Sequence, residues 1–136
     1  MKIEVEYSGN LRMKSVHTDS GSELVTDAPK DNAGNGMHFS PTDLLATSLI
    51  TCMITTMGIV GKKHEFPELE ATGSVEKIMY NDPRRVGKLV IHIQVTSPVT
   101  QQQWLMLERA ALQCPVIKSL SPEIEIEHQI QFQNPV

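Results

Sequence analysis

The feature that most constrains the fold is a stretch from Leu44 to Gly61 without a single charged side chain. It is long enough for roughly five helical turns, which touches the lower length limit for crossing a bilayer. Hydroxyl groups dilute its apolar character, however, at Thr47, Ser48, Thr51, Thr55 and Thr56. We therefore interpret the stretch as a buried core helix of a globular protein, with no membrane partner.

The residues before this stretch predict where the helix begins. Ser40 suits the N-cap, Pro41 suits the first helical position, and Asp43 places a carboxylate at the positive helix end. The helix is predicted from Pro41 to about Gly61. Its apolar residues point to all sides, so one sheet cannot cover it. A second subunit is the economical cover, and we expect a homodimer.

Apart from a second, shorter helix, the segments outside this stretch alternate apolar and polar residues in the manner of strands. The order is strands, long helix, strands, helix, strand, which indicates an α+β fold. The predicted segments are residues 2–7, an extended stretch to His17, Glu23 to Thr26, 69–80, 86–96, a helix from the cap Thr100 to near Cys114, and Ile124 to Phe132. Neither repeats nor a linker divide the chain, so we expect a single domain over residues 1–136.

Composition excludes several classes of function. The chain has 136 residues, with 12 basic and 16 acidic side chains, and this mild negative charge gives no reason to bind nucleic acid. Its two cysteines rule out a disulfide framework of the small secreted kind. The N-terminus alternates charged and apolar residues, unlike a secretory signal. We expect a protein of the reducing cytoplasm.

The two cysteines have different local settings. Cys52 lies in the middle of the apolar helix, where an isolated cysteine is usually a small, inert core residue. Cys114 ends the second helix directly before Pro115, where the backbone must turn. They form neither a C-x-x-C redox motif nor a recognised zinc spacing. Only the fold could bring them together.

Three segments together resemble the OsmC/Ohr family of thiol-dependent peroxidases. They are Asp27-Ala28-Pro29 with the Gly/Asn loop after it, the run from Phe39 to Cys52, and the run from Ala110 to Val116. Each cysteine has its own context, a Ser-Pro-x-Asp-Leu-Leu helix start before the first and a Cys-Pro step at the second. The resemblance implies antiparallel sheets wrapped around a long central helix in an intertwined dimer.

The resemblance also implies a chemistry. Cys52 would be the peroxidatic cysteine, which attacks a peroxide as thiolate and becomes a sulfenic acid. Cys114 would resolve that species as a disulfide, which a dithiol reductant reopens. No cofactor or metal is implied. Because the side chains around Cys52 are aliphatic, we expect organic hydroperoxides to be preferred over hydrogen peroxide.

A thiolate of this kind needs a nearby cation. In the family's organic hydroperoxide reductases an arginine of the N-terminal sheet pairs with a glutamate near the start of the long helix. Arg12 and Lys14 are the candidates here. Asp43 falls one place after the position of that glutamate, so it is equally well explained as a helix-terminus carboxylate. His38, in the loop before the helix, is a further candidate to reach Cys52.

Two alternatives stay open. Because the arginine and glutamate positions are displaced, the chain is similar to an OsmC-like branch whose members need not be efficient enzymes. A small-molecule binding protein on the same fold, with little turnover, is the first alternative. A metal-binding module that uses Cys52, Cys114 and a histidine is the second.

Overall fold

The computed structural model describes residues 1–133. They form two compact units, residues 1–45 and the residues from Ala46 onward, and the long helix begins in the first unit and continues in the second. The α+β class expected from the sequence is confirmed. The single domain over residues 1–136 stays a prediction, and residues 134–136 lie outside the described range.

The first unit is built on an antiparallel sheet of three strands in the order β1-β2-β3. The strands are β1 (Ile3–Gly9), β2 (Arg12–His17) and β3 (Glu23–Asp27). A loop with a short 3₁₀ turn at Lys30–Asn32 follows β3 and leads to the helix. Every residue of β1 before Gly9 is exposed, so within this unit neither face of that strand is covered.

The long helix, α1, runs over Pro41–Lys63 and so ends two residues later than predicted. Its start is as expected, because the Ser40 hydroxyl accepts the Asp43 N–H at 3.0 Å and the Asp43 carboxylate accepts the Ser40 N–H at 2.8 Å. By length and composition α1 could cross a membrane, a test that core helices also pass. One of its faces is buried, at Ala46, Leu49, Ile50, Met53, Met57 and Gly61.

The second unit joins the rest of α1 to a three-stranded sheet of order β4-β5-β6 and two shorter helices. The elements are β4 (Ala71–Tyr80), β5 (Arg85–Val95), α2 (Gln101–Ala111), α3 (Pro115–Ser119) and β6 (Glu125–Phe132). Helix α2 begins at the predicted cap, Thr100, which forms a capping box with Gln103. The predicted segments 69–80 and 86–96 correspond to β4 and β5, which pair as an antiparallel hairpin.

One feature of the second sheet corrects the expectation of antiparallel sheets. Strands β5 and β6 pair in parallel, with Leu89 opposite Ile126 and Ile93 opposite Ile130, so this sheet is mixed. Two parallel neighbours need a crossover connection, and α2 and α3 form that crossover between the strands. An alternating pattern shows which face of a strand is apolar but not the direction of its neighbour.

Helix α1 packs on this sheet over Gly73 of β4. A Cβ atom at Gly73 would lie 2.7 Å from Cδ1 of Ile50 and 3.2 Å from Cδ1 of Ile54. Side chains of the helix and of β5 that are less than 2% exposed form the centre of the core. They are Leu49, Met53 and Met57 from α1 with Leu89, Ile91, Ile93 and Val95 from β5. Cys52 precedes Met53 and is only partly buried, so it lies at the edge of this core.

Candidate active site

Cys52 lies midway along α1, on a polar part of the helix surface. Its thiol is half-buried and is not in a disulfide. The Thr56 hydroxyl, one helical turn further on, lies 4.0 Å from the Cys52 sulfur and donates to the Cys52 carbonyl at 2.8 Å. The peroxide-reactive thiol expected from the sequence is therefore partly open to solvent and has a hydroxyl as neighbour.

Cys114 lies in the short connection between α2 and α3. Pro115 takes the first position of α3, and Cys114 is its N-cap, with its sulfur accepting the Ile117 N–H at 3.4 Å. The side chain is completely buried. The turn that the Cys-Pro step predicts is thus what aims this sulfur into the second unit.

The structure brings the two cysteines together. The Cys52 side chain lies close enough to Cys114 to raise the pKa of its thiol, although the two residues belong to elements far apart in the chain. Both are free thiols. Two neighbouring thiols can lose two electrons and form a disulfide once their sulfur atoms approach to bonding distance.

The environment of Cys114 makes its thiol less acidic than that of an ordinary cysteine. Burial raises the pKa of Cys114, the backbone N–H groups of Ile117 and Val116 oppose that effect, and the nearby Cys52 raises the pKa further. Cys114 is therefore held as a neutral thiol near neutral pH. That protonation state suits a group that reacts second, with an oxidised neighbour.

Arg12 is paired with a carboxylate that the sequence analysis did not single out. Its Nε lies 2.7 Å from Asp27 Oδ1 and its second guanidinium nitrogen, Nη2, lies 3.0 Å from Asp27 Oδ2. This bidentate pair joins directly opposite residues of β2 and β3. The Asp27 side chain is 1% exposed and that of Arg12 is 35% exposed.

The pair determines the charge state of Asp27. The hydrogen bonds from Arg12 lower the pKa of Asp27, burial works against them, and the Met37 N–H and the charge of His38 add to the lowering. Asp27 in turn raises the pKa of Arg12. Arg12 is thus a fixed cation held by a buried carboxylate.

The other predicted site residues of the first unit have separate surroundings. Lys14 pairs with Glu23 at 3.1 Å, and both side chains are about half exposed. Asp43 caps the start of α1, which is the role that its position at the helix terminus predicts. His38 is exposed in the loop before the helix and lies close enough to Asp27 to act on its charge. None of these contacts involves a thiol.

A cavity of about 490 Å³ opens along α1 beyond Cys52, within the second unit. Thr55, one turn from Cys52, contributes to its wall, and most of the lining is apolar. The lining includes Ile54, Gly58, Ile59, Phe66 and Leu69, together with Lys62 and Glu68. Such a surface suits the organic part of a small molecule.

The described residues do not support the metal-binding alternative. Within residues 1–133, no group of three or more His, Cys, Asp or Glu side chains is placed to hold a metal ion. The two thiols alone would leave a zinc ion short of its usual four ligands.

The fold and the paired cysteines define an OsmC-type protein, and comparison agrees. The family model described as OsmC-like protein matches residues 34–129, and the chain belongs to this family. A crystal structure from Psychrobacter arcticus, provisionally described as an osmotic stress induced and detoxification response protein, is 42% identical with a TM-score of 0.89. It covers 96% of this chain and 95% of its own.

More distant structures share the fold. An organic hydroperoxide resistance protein, OsmC, from Legionella pneumophila is 17% identical with a TM-score of 0.73, and the match covers 96% of this chain and 95% of that one. The organic hydroperoxide resistance protein OhrB of Bacillus subtilis is 16% identical with a TM-score of 0.68, with 95% and 96% covered. No curated protein matches the sequence.

Proposed function

We propose that this protein is a cysteine-based peroxidase that reduces organic hydroperoxides in defence against oxidative stress. The observation that carries the proposal is the proximity of Cys52 to Cys114, close enough to raise the pKa of the Cys114 thiol. Membership of the OsmC-like family supports it, as do the distant structures named for organic hydroperoxide resistance. We propose a cytoplasmic location on the grounds given for the sequence.

The proposed cycle has three steps. The Cys52 thiolate attacks the outer peroxide oxygen, the O–O bond breaks, and the alcohol leaves with a proton while Cys52 becomes a sulfenic acid. The Cys114 sulfur then attacks the Cys52 sulfur and expels water, which leaves a disulfide. A dithiol reductant reduces the disulfide by two electrons and restores both thiols.

Exposure assigns the two roles within this cycle. Cys52 is partly open to solvent and Cys114 is fully buried, so a peroxide from solution meets Cys52 first. The apolar cavity that begins one turn along α1 favours substrates with an organic body. Arg12, whose guanidinium is fixed in place by a buried carboxylate, is the better candidate for a supporting cation than Lys14, whose ion pair with Glu23 is about half exposed.

The test is peroxide consumption with a dithiol such as dihydrolipoamide, using cumene hydroperoxide and hydrogen peroxide. Cys52→Ser should reduce turnover to that of the double variant Cys52→Ser/Cys114→Ser, which measures the background. Without the dithiol, Cys114→Ser should consume one equivalent of peroxide and accumulate a sulfenic acid that dimedone captures. Full turnover in Cys52→Ser would refute the mechanism.

A small-molecule binding protein of the same fold is the alternative. The observation that favours it is the closed Arg12–Asp27 pair, because an arginine already engaged by a buried carboxylate is less available to a thiolate. Stopped-flow measurement of the reaction of Cys52 with cumene hydroperoxide separates the two. A rate near that of a free thiol indicates the binding protein, whereas a rate several orders of magnitude higher indicates the enzyme.

A further inference from the structure

The neighbour of the Cys52 sulfur is a hydroxyl that can act as donor or acceptor. Thr56 Oγ1 lies 4.0 Å from the sulfur, and its one hydrogen is directed to the Cys52 carbonyl, 2.8 Å away. A hydroxyl group has one donor and two acceptor positions. While the thiol is neutral, the lone pairs of Thr56 Oγ1 can therefore face the S–H group.

Deprotonation of Cys52 changes the hydrogen-bond partner that suits its sulfur from an acceptor to a donor. A thiolate only accepts hydrogen bonds, and a bond to an ionised group is roughly twice as strong as a neutral one. Rotation about the Cβ–Oγ1 bond of Thr56 moves the hydrogen from the carbonyl to the sulfur without moving a heavy atom. The Cys52 carbonyl keeps a partner, because in an α-helix it also accepts the backbone N–H of Thr56.

The same helix contains a natural control for this geometry. Thr51 also donates its hydroxyl to the carbonyl four residues earlier, that of Thr47, at 2.7 Å. Threonine side chains in helices commonly form this hydrogen bond to the carbonyl four residues earlier, so the bond alone does not indicate a function. Thr51 is exposed, whereas Thr56 is half-buried beside a thiol. The two sites differ in exposure and in the sulfur that neighbours Thr56.

We propose that Thr56 stabilises the thiolate of Cys52 by turning its hydroxyl hydrogen from the Cys52 carbonyl to the sulfur. It does so as a donor to the reacting atom. The inference deepens the proposed function, since it assumes that Cys52 is the nucleophile. Its test uses no peroxide.

The experiment measures alkylation of Cys52 by iodoacetamide as a function of pH, in a Cys114→Ser background that leaves one thiol. Thr56→Val removes the hydroxyl at nearly constant volume. We expect it to move the midpoint of the rate profile upward by about one pH unit, which is about tenfold less thiolate at pH 7. Thr56→Ser keeps the donor and should retain the parent profile. Thr51→Val should also leave the profile unchanged.

An unchanged profile in Thr56→Val, or an equal shift in Thr56→Ser, would overturn the inference. Should circular dichroism show that Thr56→Val is unfolded, Thr56→Ala is measured in its place against the same criteria. Peroxide consumption in the Cys114-containing variants separates this inference from the proposed function. A shifted profile without turnover upholds the role of Thr56 and refutes the peroxidase, and turnover with an unshifted profile does the reverse.

Discussion

The two sulfur atoms of the thiol pair differ in exposure, and this difference determines which sulfur of the disulfide a reductant attacks. Cys52 is half-buried at the surface of α1, and Cys114 is completely buried. A reductant thiolate attacks the sulfur that it can reach, and the other sulfur leaves as an anion. The Ile117 N–H already points at the Cys114 sulfur and would stabilise that anion as it forms.

We therefore predict that a thiol reductant forms its mixed disulfide on Cys52. The protein is first oxidised with one equivalent of cumene hydroperoxide, then treated with glutathione, quenched in acid and labelled with N-ethylmaleimide. Peptide mass spectrometry should find glutathione on Cys52 and maleimide on Cys114 in about nine molecules of ten. Glutathione mainly on Cys114 would mean that the buried sulfur becomes accessible in the disulfide form.

The Arg12–Asp27 pair should make stability depend on pH in acid. Because the folded-state pKa of Asp27 is lowered, its contribution is fully present above the ordinary value of about 3.9 and is lost as pH falls through the folded value. We predict that Asp27→Asn lowers the urea midpoint at pH 6 and that the difference from wild type shrinks to nothing toward pH 2.

Glu23→Gln is the matched control for this prediction. It breaks a cross-strand ion pair in the same sheet, but the side chains of Lys14 and Glu23 are 45% and 55% exposed. Exposed pairs contribute little to stability, so the urea midpoint should hardly change at either pH. If Asp27→Asn and Glu23→Gln lower the urea midpoint by the same amount, burial of Asp27 does not determine the pH dependence of stability.

The sequence indicated the cysteines as candidates but not the carboxylate that holds Arg12. Cys52 and Cys114 stand in recognisable local contexts, so their candidacy needed no distances. Asp27 stood out in the sequence only as part of the Asp27-Ala28-Pro29 segment of the family resemblance. The register held the missing information, because it places Arg12 and Asp27 opposite each other on β2 and β3, and a shift by one residue would separate them.

At the level of single elements, the hydroxyl caps of α1 and α2 allow a comparison. Ser40 is 1% exposed and exchanges hydrogen bonds with Asp43, whereas Thr100 caps α2 at an exposed position. Loss of a cap costs about 0.5–2 kcal/mol. We predict that Ser40→Ala lowers the free energy of unfolding by about 2 kcal/mol and Thr100→Ala by about 0.5 kcal/mol, measured by urea denaturation. Equal losses would show that burial of the cap adds nothing.

The end of the β4–β5 hairpin depends on a glycine. A Cβ atom on Gly87 would overlap the ring of Tyr80, so the ring lies directly over the backbone there. From that position the Tyr80 hydroxyl donates to Glu125 at 2.9 Å. This hydrogen bond, with burial and the carboxylate charge, raises the pKa of Tyr80.

We predict that Gly87→Ala displaces the ring, breaks the hydrogen bond and lowers the pKa of Tyr80 toward its ordinary value. Absorbance at the phenolate band measures this in a Tyr7→Phe background, because the chain has only two tyrosines. Glu125→Gln should also lower the pKa of Tyr80, because it removes the carboxylate charge. It leaves the Tyr80 ring in place. A Tyr80 titration that Gly87→Ala does not alter would contradict the packing argument.

Local sequence patterns predicted the elements better than their pairing. The helix start at Ser40 and the cap at Thr100 each depend on residues within a few positions, and both are present. The parallel pairing of β6 with β5 depends on the path of a connection with two helices. No local pattern records that path, which is why the antiparallel expectation was wrong for this strand.

At the scale of the whole molecule, the exposed faces of β1 in the first sheet are the feature that favours a second subunit. A three-stranded sheet is stable when one face is covered, yet β1 is exposed on both faces within its unit. Ile3, Val5 and Tyr7 share one of these faces and are 55%, 62% and 59% exposed. Contiguous apolar side chains of this kind usually mark an interface, and the proposed homodimer would cover them.

We predict a dimer with twice the chain mass of 15.1 kDa in light scattering at micromolar concentration. Val5→Lys places a charge in the middle of the apolar face and should shift the protein toward the mass of one chain, because an unpaired buried charge is costly. Glu123→Lys adds a lysine at an exposed turn and should leave the dimer intact. A wild-type mass of one chain would refute the dimer, and an intact dimer of Val5→Lys would place the interface on another surface.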